Sequence, residues 1–412
     1  MSILKSIQNF FRPVALPLYH LMRSRGHEKH KDDFFKEMKE VLNSKKYDAV
    51  VIFDVYFGFN VKMFQRPQHI ALNMAKENIL YLYKASPYVE IDKEVKVSQK
   101  VKDNLYLVNT DLYWLQEGLL DMIKESGIPC FGQIYSTSFT EYDKYMKKFT
   151  DRGLKVIYEY VDDLSDEIAG YKIPDSVKKA HDGMLKNSED VYVVTTATKL
   201  YDEVVSIRGK NRVELVTNGV EFEHFSDIKC KEVPEEIKTI VESDKKIIGY
   251  FGALAKWFDY ELITKMSKEL PEYEIMLIGI NYDKSLDKSG ILELSNVHYL
   301  GTRNYTQLPT YAKFFDVATI PFVINDITEA TSPVKLFEYM ALGKPIVTTA
   351  LPECRKYESA LVSNSHDEFI ANIKKASELE NDEKYLELLR KEGLDNTWRQ
   401  KAIDMKELIL NS

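Results

Sequence analysis

The sequence predicts an α/β protein built as two doubly wound, Rossmann-like domains facing each other across a cleft. Three observations carry this expectation. Short runs rich in Val, Ile and Tyr alternate with amphipathic stretches along almost the whole chain, the pattern of parallel strands covered on both faces by helices. A chain of 412 residues exceeds what one hydrophobic core usually accommodates. The strand–helix series is also interrupted once, by the charge-rich, Pro-containing stretch 226–244, which reads as a linker.

In the first half the expected strands are Ala49–Phe53, Ile79–Tyr83, Leu105–Asn109, Phe131–Tyr135, Lys155–Tyr160, Val191–Thr195 and Val213–Thr217. A helix from Pro67 to Lys76 follows the first of them. In the second half they are Lys246–Phe251, Glu274–Ile278, Val297–Leu300, Val317–Pro321, Pro345–Thr349 and Ala360–Val362. Helices over Asp367–Leu379, Asp382–Glu392 and Asn396–Leu410 close the chain. The expected division is therefore a segment 1–31, a first domain 32–225, the linker 226–244, a second domain 245–395 and a terminal helical segment 396–412.

Residues 1–31 differ from the rest. Lys5, Arg12, Arg23, Arg25, Lys29 and Lys31 face the single acid Glu28, leaving five net positive charges in a chain of net charge −8. Bulky apolar residues such as Ile7, Phe10, Phe11 and Leu21 are interleaved with them. That composition suits either a segment lying on an anionic membrane surface or a helix packed on its own domain.

Composition also excludes classes of function. The acidic balance argues against bulk nucleic-acid binding. Cys130, Cys230 and Cys354 are odd in number and far apart, so neither a disulfide framework nor a zinc site is expected, and a reducing cytoplasm is. No apolar run reaches the length of a membrane span, and no secretory leader is apparent. No Walker pattern or G-x-G-x-x-G is present, which removes support from phosphoryl and hydride transfer.

The most informative stretch is Thr331–Thr349, TSPVKLFEYMALGKPIVTT. Ser332 reads as a helix cap and Pro333 as the first helical residue, with Gly343 ending the helix. Val334 and Lys335 fall in the first turn and Glu338 lies one turn beyond Lys335. A helix start is an anion site, because its unpaired N–H groups and its dipole both favour negative charge. A nucleotide diphosphate fits there, and Glu338 could accept ribose hydroxyls; a capped surface helix with a Lys–Glu pair fits as well.

Other stretches carry chemistry less sharply. Gly249 lies near the end of the strand Lys246–Phe251 and Gly252 follows it, with Lys256 available either to a diphosphate or to solvent. Arg303, Asn304 and Tyr305 form a loop suited to a base, or an ordinary strand-to-helix turn. Asp162 and Asp163 end a first-domain strand. Adjacent carboxylates raise each other's proton affinity, which suits a general base; acids at a helix start are the other reading. Arg66 and His69 open the helix after the first strand on the side expected to face an acceptor.

Read together, VTNGVEFEHF (216–225), IIGYFGALAKWFDYELI (247–263), NVHYLGTRNYTQLPTYAKFFDVATIPF (296–322), SPVKLFEYMALGKPIVTT (332–349) and, more loosely, FQRPQHIALNMA (64–75) resemble the GT-B glycosyltransferases. Within these they are similar to the large nucleotide-sugar family, family 4 and its relatives, that includes bacterial cell-surface polysaccharide enzymes. The resemblance implies a donor held by the second domain. Ser332, Pro333 and Val334 would lie under the diphosphate, Gly252 and Lys256 in the phosphate-facing loop, Arg303–Tyr305 around the base and Glu338 on the ribose. It places Asp162 and Asp163 where related enzymes carry a catalytic His or Asp, and it has the segment around Trp398 cross back to the first domain.

The chain departs from the family's Glu-x7-Glu pattern: Ala330 stands eight residues before Glu338, with Glu329 one place off. The expected function is transfer of a sugar from a nucleoside diphosphate donor to a lipid-linked or polysaccharide acceptor, with no metal or other cofactor. The expected location is cytoplasmic, peripheral at the membrane through residues 1–31. A nucleotide-sugar 2-epimerase of the same layout and an inactive membrane-associated scaffold are the rivals.

Overall fold

The computed structural model describes residues 24–61, 64–87, 89, 91–136, 141–164, 166, 172–229 and 232–411. Residues 1–23, which carry most of the expected membrane-facing segment, lie outside them, as does Cys230.

Among the described residues β1 (Ala49–Phe53), β2 (Ile79–Lys84), β3 (Ser98–Lys102), β4 (Leu105–Val108), β5 (Cys130–Tyr135), β6 (Lys155–Tyr160), β7 (Val191–Thr195) and β8 (Val213–Leu215) form one sheet. Its order is β3-β4-β2-β1-β5-β6-β7-β8, parallel except where β3 runs against β4. The second sheet holds β9 (Lys246–Phe251), β10 (Tyr273–Ile278), β11 (Val297–Tyr299), β12 (Val317–Ile320), β13 (Ile346–Thr349) and β14 (Ala360–Ser363), in the order β11-β10-β9-β12-β13-β14. Each order reverses about its first strand, the topology that opens a crevice at the strands' carboxyl ends. The central strands β1, β2, β5 and β6 are almost entirely buried, which their continuous apolar runs require.

The strand β3 was not expected. Its sequence, Ser-Gln-Lys-Val-Lys, has no apolar alternation because it is a short edge strand whose lysines face solvent.

The longer helices are α1 (Lys31–Ser44), α2 (Arg66–Lys76), α3 (Tyr113–Ser126), α4 (Tyr142–Thr150), α5 (Asp175–Lys186), α6 (Thr198–Arg208), α7 (Tyr260–Glu269), α8 (Val334–Leu342), α9 (His366–Leu379), α10 (Glu383–Asp395) and α11 (Trp398–Asn411). Two cores result. The first is built from β1–β8 and their helices, and Trp398, Ala402, Met405, Leu408 and Ile409 of α11 also belong to it. Thus α11 packs on the first domain, with Lys406 on Asp48 at 2.6 Å and Arg399 on Glu77 at 2.8 Å.

The second core begins earlier in the chain than the expected boundary. Val220, Phe222 and Phe225 are part of it, and the chain crosses between domains at 216–219. Within the expected linker 226–244, the stretch 235–241 is not open chain. Ile237 and Ile240 are buried in the second core, held there by a short 3-10 turn and one helical turn. Charge density hid two apolar anchors spaced three apart.

Candidate functional site

The donor-side candidates converge at the carboxyl end of β9 and the start of α8. Gly252 has φ +146, a region that favours glycine. A Cβ placed there would stand 2.0 Å from Lys335 Cε, so the Lys335 side chain lies directly across the Gly252 backbone. Behind it Gly279 (φ +152) packs against Gly252 so closely that a Cβ would reach the Gly252 carbonyl oxygen at 1.7 Å. The Lys335 ammonium also stands over the rings of Tyr250 and Phe322, 5.6 and 5.5 Å from their centroids.

One turn further along α8, Glu338 is 7% exposed. Burial pushes its carboxyl up to about 7 against the pull of Lys335, and burial lowers Lys335 against the pull of Glu338. Two oppositely charged groups are thus held short of water beside a glycine backbone and the free N–H groups of a helix start. That arrangement has the donors for an anion and, next to them, an acceptor for hydroxyl hydrogens.

The helix start differs from the expectation. Pro333 is the capping position and Val334 the first helical residue, and no side chain caps the helix. Ser332 is not the cap because its hydroxyl is engaged elsewhere: it accepts the Asn218 backbone N–H at 3.2 Å, while the Asn218 side-chain amide donates to the Ser332 carbonyl at 2.7 Å. The interdomain crossover therefore grips the donor helix directly.

The remaining donor-side candidates do not join this cluster by side-chain contact. Lys256 is exposed, its backbone N–H bound to Asp283 at 3.0 Å. Arg303 donates to the Leu300 carbonyl at 2.6 Å and reaches Glu236 at 3.1 Å. Asn304 caps its own turn in a reciprocal pair with Gln307. Tyr305 packs its ring on His224 (4.5 Å, nearly parallel) and edge-on to His69 (5.6 Å), and the Glu338 charge adds to the burial that raises its phenol. Tyr305 thus lies in the field of Glu338 while closing the seam between domains.

On the first-domain side, Asp162 follows β6 in a loop whose Val161 carbonyl accepts the Thr196 hydroxyl at 2.5 Å. Asp162 is open to solvent on one side. The protein packed around its other sides raises its carboxyl, Arg66 opposes that and Asp163 adds to it. Asp163 acts instead on Tyr160 and His181, so the two carboxylates serve different neighbours.

Arg66 is buried, paired with Glu159 at 2.6 Å, and donates to the Thr217 carbonyl at 3.1 Å. His69 is buried as well, its ring stacked flat on Trp398 at 5.0 Å; burial, with help from His224 and Lys76, pulls it down to about 3. It is a neutral packing ring at the seam with α11.

Glu329 contacts Lys199 of α6 at 3.6 Å, beside the 3.3 Å pair of Lys199 with Asp326. It reaches across the cleft rather than toward Gly252. A second bridge runs from the Thr198 N–H to the buried carboxylate of Glu353 at 2.7 Å. Sequence reading passed over Asn218, Glu159, Lys199 and Glu353. Only Glu159 left a signal: a carboxylate inside the otherwise apolar strand Lys155–Tyr160 must find a cation.

Cys130 and Cys354 are buried and unbridged, and burial pushes each thiol up to about 12. Among the described residues no group of three or more His, Cys, Asp or Glu side chains is placed to hold a metal ion, and no helix is long and apolar enough to cross a membrane.

Comparison with known proteins follows this geometry. Residues 245–378 match the family described as glycosyl transferases group 1. TuaH of Bacillus subtilis strain 168, whose assignment as a teichuronic acid biosynthesis glycosyltransferase is itself by inference, is 30% identical over 199 residues, 46% of this chain and 49% of its own length. The chain thus spans about half the length of that curated relative.

Among solved structures, sucrose-phosphate synthase from Thermosynechococcus elongatus superposes with TM-score 0.62 at 13% identity, over 88% of this chain and 98% of that one. HepE of Anabaena, determined in complex with UDP-glucose, superposes with TM-score 0.61 at 12% identity, over 88% of this chain and all of that one. At such identities the structures speak for the fold alone. Residues 245–378 are thus similar to the group 1 glycosyl transferases, and the chain as a whole has the two-domain GT-B fold.

Proposed function

We propose that the protein is a glycosyltransferase that moves a sugar from a nucleoside diphosphate sugar to a hydroxyl of a lipid-linked or polysaccharide acceptor in cell-surface glycan synthesis. The observation that carries this reading is Lys335 laid across Gly252 at the start of α8, with the buried Glu338 one turn deeper. The diphosphate meets Lys335 and the N–H groups of Val334 and Lys335; Glu338 accepts the ribose hydroxyls, with Tyr305 beside it. Lys256, Arg303 and Asn304 form the outer rim of the donor site in this reading.

The reaction then needs a base on the facing domain. Asp162 takes the proton of the acceptor hydroxyl as its oxygen bonds to the anomeric carbon. The bond from that carbon to the diphosphate oxygen breaks, and the charge growing on the diphosphate falls on Lys335 and the helix start. Asp163, turned toward Tyr160 and His181, supports the loop. With a lysine and a helix dipole in place, transfer proceeds without a divalent cation and survives chelator.

Residues 1–31 lie on an anionic membrane surface at the cytoplasmic face and bring the active site to a lipid-linked acceptor. Their deletion lowers co-sedimentation with anionic vesicles; unchanged binding would return the segment to a packing role.

The test is incubation with a panel of nucleotide sugars, beginning with UDP-glucose, following release of nucleoside diphosphate with and without EDTA. Release in the presence of EDTA is the expected result. No release from any donor, together with no binding of a nucleoside diphosphate, would overturn the reading.

A further inference from the structure

We propose that Arg66 is a positioning residue, which locks the strand leading to Asp162 and the start of the donor helix α8 into one register through Glu159 and Asn218. The inference rests on the glycosyltransferase reading above and gives Arg66 a role other than contact with the acceptor.

The chain of contacts is continuous. Glu159 is the penultimate residue of β6, three residues before Asp162, and is fully buried. It accepts the Arg66 Nε–H at 2.6 Å and is also hydrogen-bonded by Gln133, which receives the Tyr81 hydroxyl at 2.6 Å. Arg66 Nη1 donates to the Thr217 carbonyl at 3.1 Å and stands 3.4 Å from Asn218 Oδ1. The other end of that amide holds the Ser332 carbonyl at 2.7 Å. One guanidinium thus joins the strand end that bears the base, the crossover between domains and the helix start that receives the diphosphate.

Burying such a pair costs desolvation, and a pair of apolar side chains could fill the space at least as stably. What the fork of the guanidinium adds is fixed direction toward two partners at once. Arg66 is 4% exposed, and among the described residues its Nη2 is buried without a hydrogen-bond partner, so the site holds more donor capacity than packing requires. Its charge is felt at the cleft floor: Arg66 and Asp163 are the charged groups acting on Asp162, and Lys401 of α11, brought down to about 8 chiefly by burial, lies in the same field.

The decisive variant is Arg66→Gln combined with Glu159→Gln, because Arg66→Gln alone strands a buried carboxylate and can unfold the chain. The double variant keeps a neutral hydrogen-bonded pair. We expect it to fold and bind UDP within about threefold of wild type. We also expect its turnover of UDP-glucose to fall at least about tenfold, and the acidic limb of its pH–rate profile to move up as the pull of Arg66 on Asp162 is lost. Arg66→Lys, which keeps the charge without the fork, should restore the limb but not the rate.

A double variant with wild-type turnover and profile would reduce Arg66 to packing. If the wild-type protein turns over no nucleotide sugar, the function above falls, and Arg66 is judged by the carbon-13 titration of the Asp162 carboxyl. A raised midpoint in the double variant supports the proposal, and an unmoved midpoint overturns it.

Discussion

The two walls of the cleft are built by opposite means. On the second domain, the donor wall is local: Lys335 and Glu338 are three residues apart on α8, and the glycine under Lys335 closes a strand end. On the first domain, the facing wall is assembled over distance. Arg66 and Glu159 are separated by 93 residues, and Asn218 and Ser332 by 114. A phosphate site needs backbone N–H groups and one cation, which a short motif supplies. A base must be aimed at an acceptor on a different domain, and only tertiary contacts can set that aim.

That contrast can be broken most sharply at Asp162. Asp162→Asn should lower turnover by about 10²–10⁴-fold while nucleotide binding persists, measured as nucleoside diphosphate release beside calorimetric titration with UDP. Equal loss of binding would put Asp162 on the donor wall instead. The seam between the walls comes next. Trp398 is buried at 2% exposure with His69 stacked on it, so Trp398→Ala should cost about 3–5 kcal/mol in urea unfolding, against far less for an exposed residue of α11. A loss under 1 kcal/mol, of the order of a surface change, would mean that α11 does not brace the first domain.

Glu338 tests the donor wall by pH. Its carboxyl is raised to about 7 by burial. A raised carboxyl helps the folded state below the ordinary glutamate range, and that help is lost as pH rises through about 7. Ribose binding runs the other way, since the carboxylate is the acceptor. UDP affinity should therefore strengthen from pH 6 to pH 8, by up to about tenfold, and Glu338→Gln should flatten that dependence and weaken binding at pH 8 by a comparable factor. The same slope in the variant would assign it to the phosphate. The smallest effect is expected from the bridge across the mouth: Lys199 and its partners Asp326 and Glu329 are well exposed, so Lys199→Ala should change stability by less than about 1 kcal/mol in thermal unfolding.

The fold was legible wherever burial on both faces forces continuous apolar runs. The strands β1, β6, β7 and β9 coincide with their expected spans for that reason. The edge strand β3 was not, because an edge exposed to water needs no apolar pattern. The helix that carries Lys335 and Glu338 was legible, since a helix start carries its own signature. Ser332 misled for a reason of the same kind: the cap pattern is local, but the Asn218 N–H claims the hydroxyl from another part of the chain. Residues 226–244 read as open because charges outnumber the two buried isoleucines that anchor them. The contacts of Arg303 with Glu236 and of Asn304 with Gln307 were not legible in a loop that reads as ligand-binding.

The sequence by itself determined two parallel sheets, their carboxyl-end cleft and a helix start suited to a nucleoside diphosphate. Each follows from periodicity and from the few residues whose backbone preferences are strong. Only the tertiary structure decided that the crossover grips the start of α8 through Asn218, that the returning α11 lays Trp398 flat on His69, and that Arg66 joins the walls. Those choices depend on which buried polar groups find one another after the chain has closed, and an unpaired group in a dry interior costs too much to be left to local pattern.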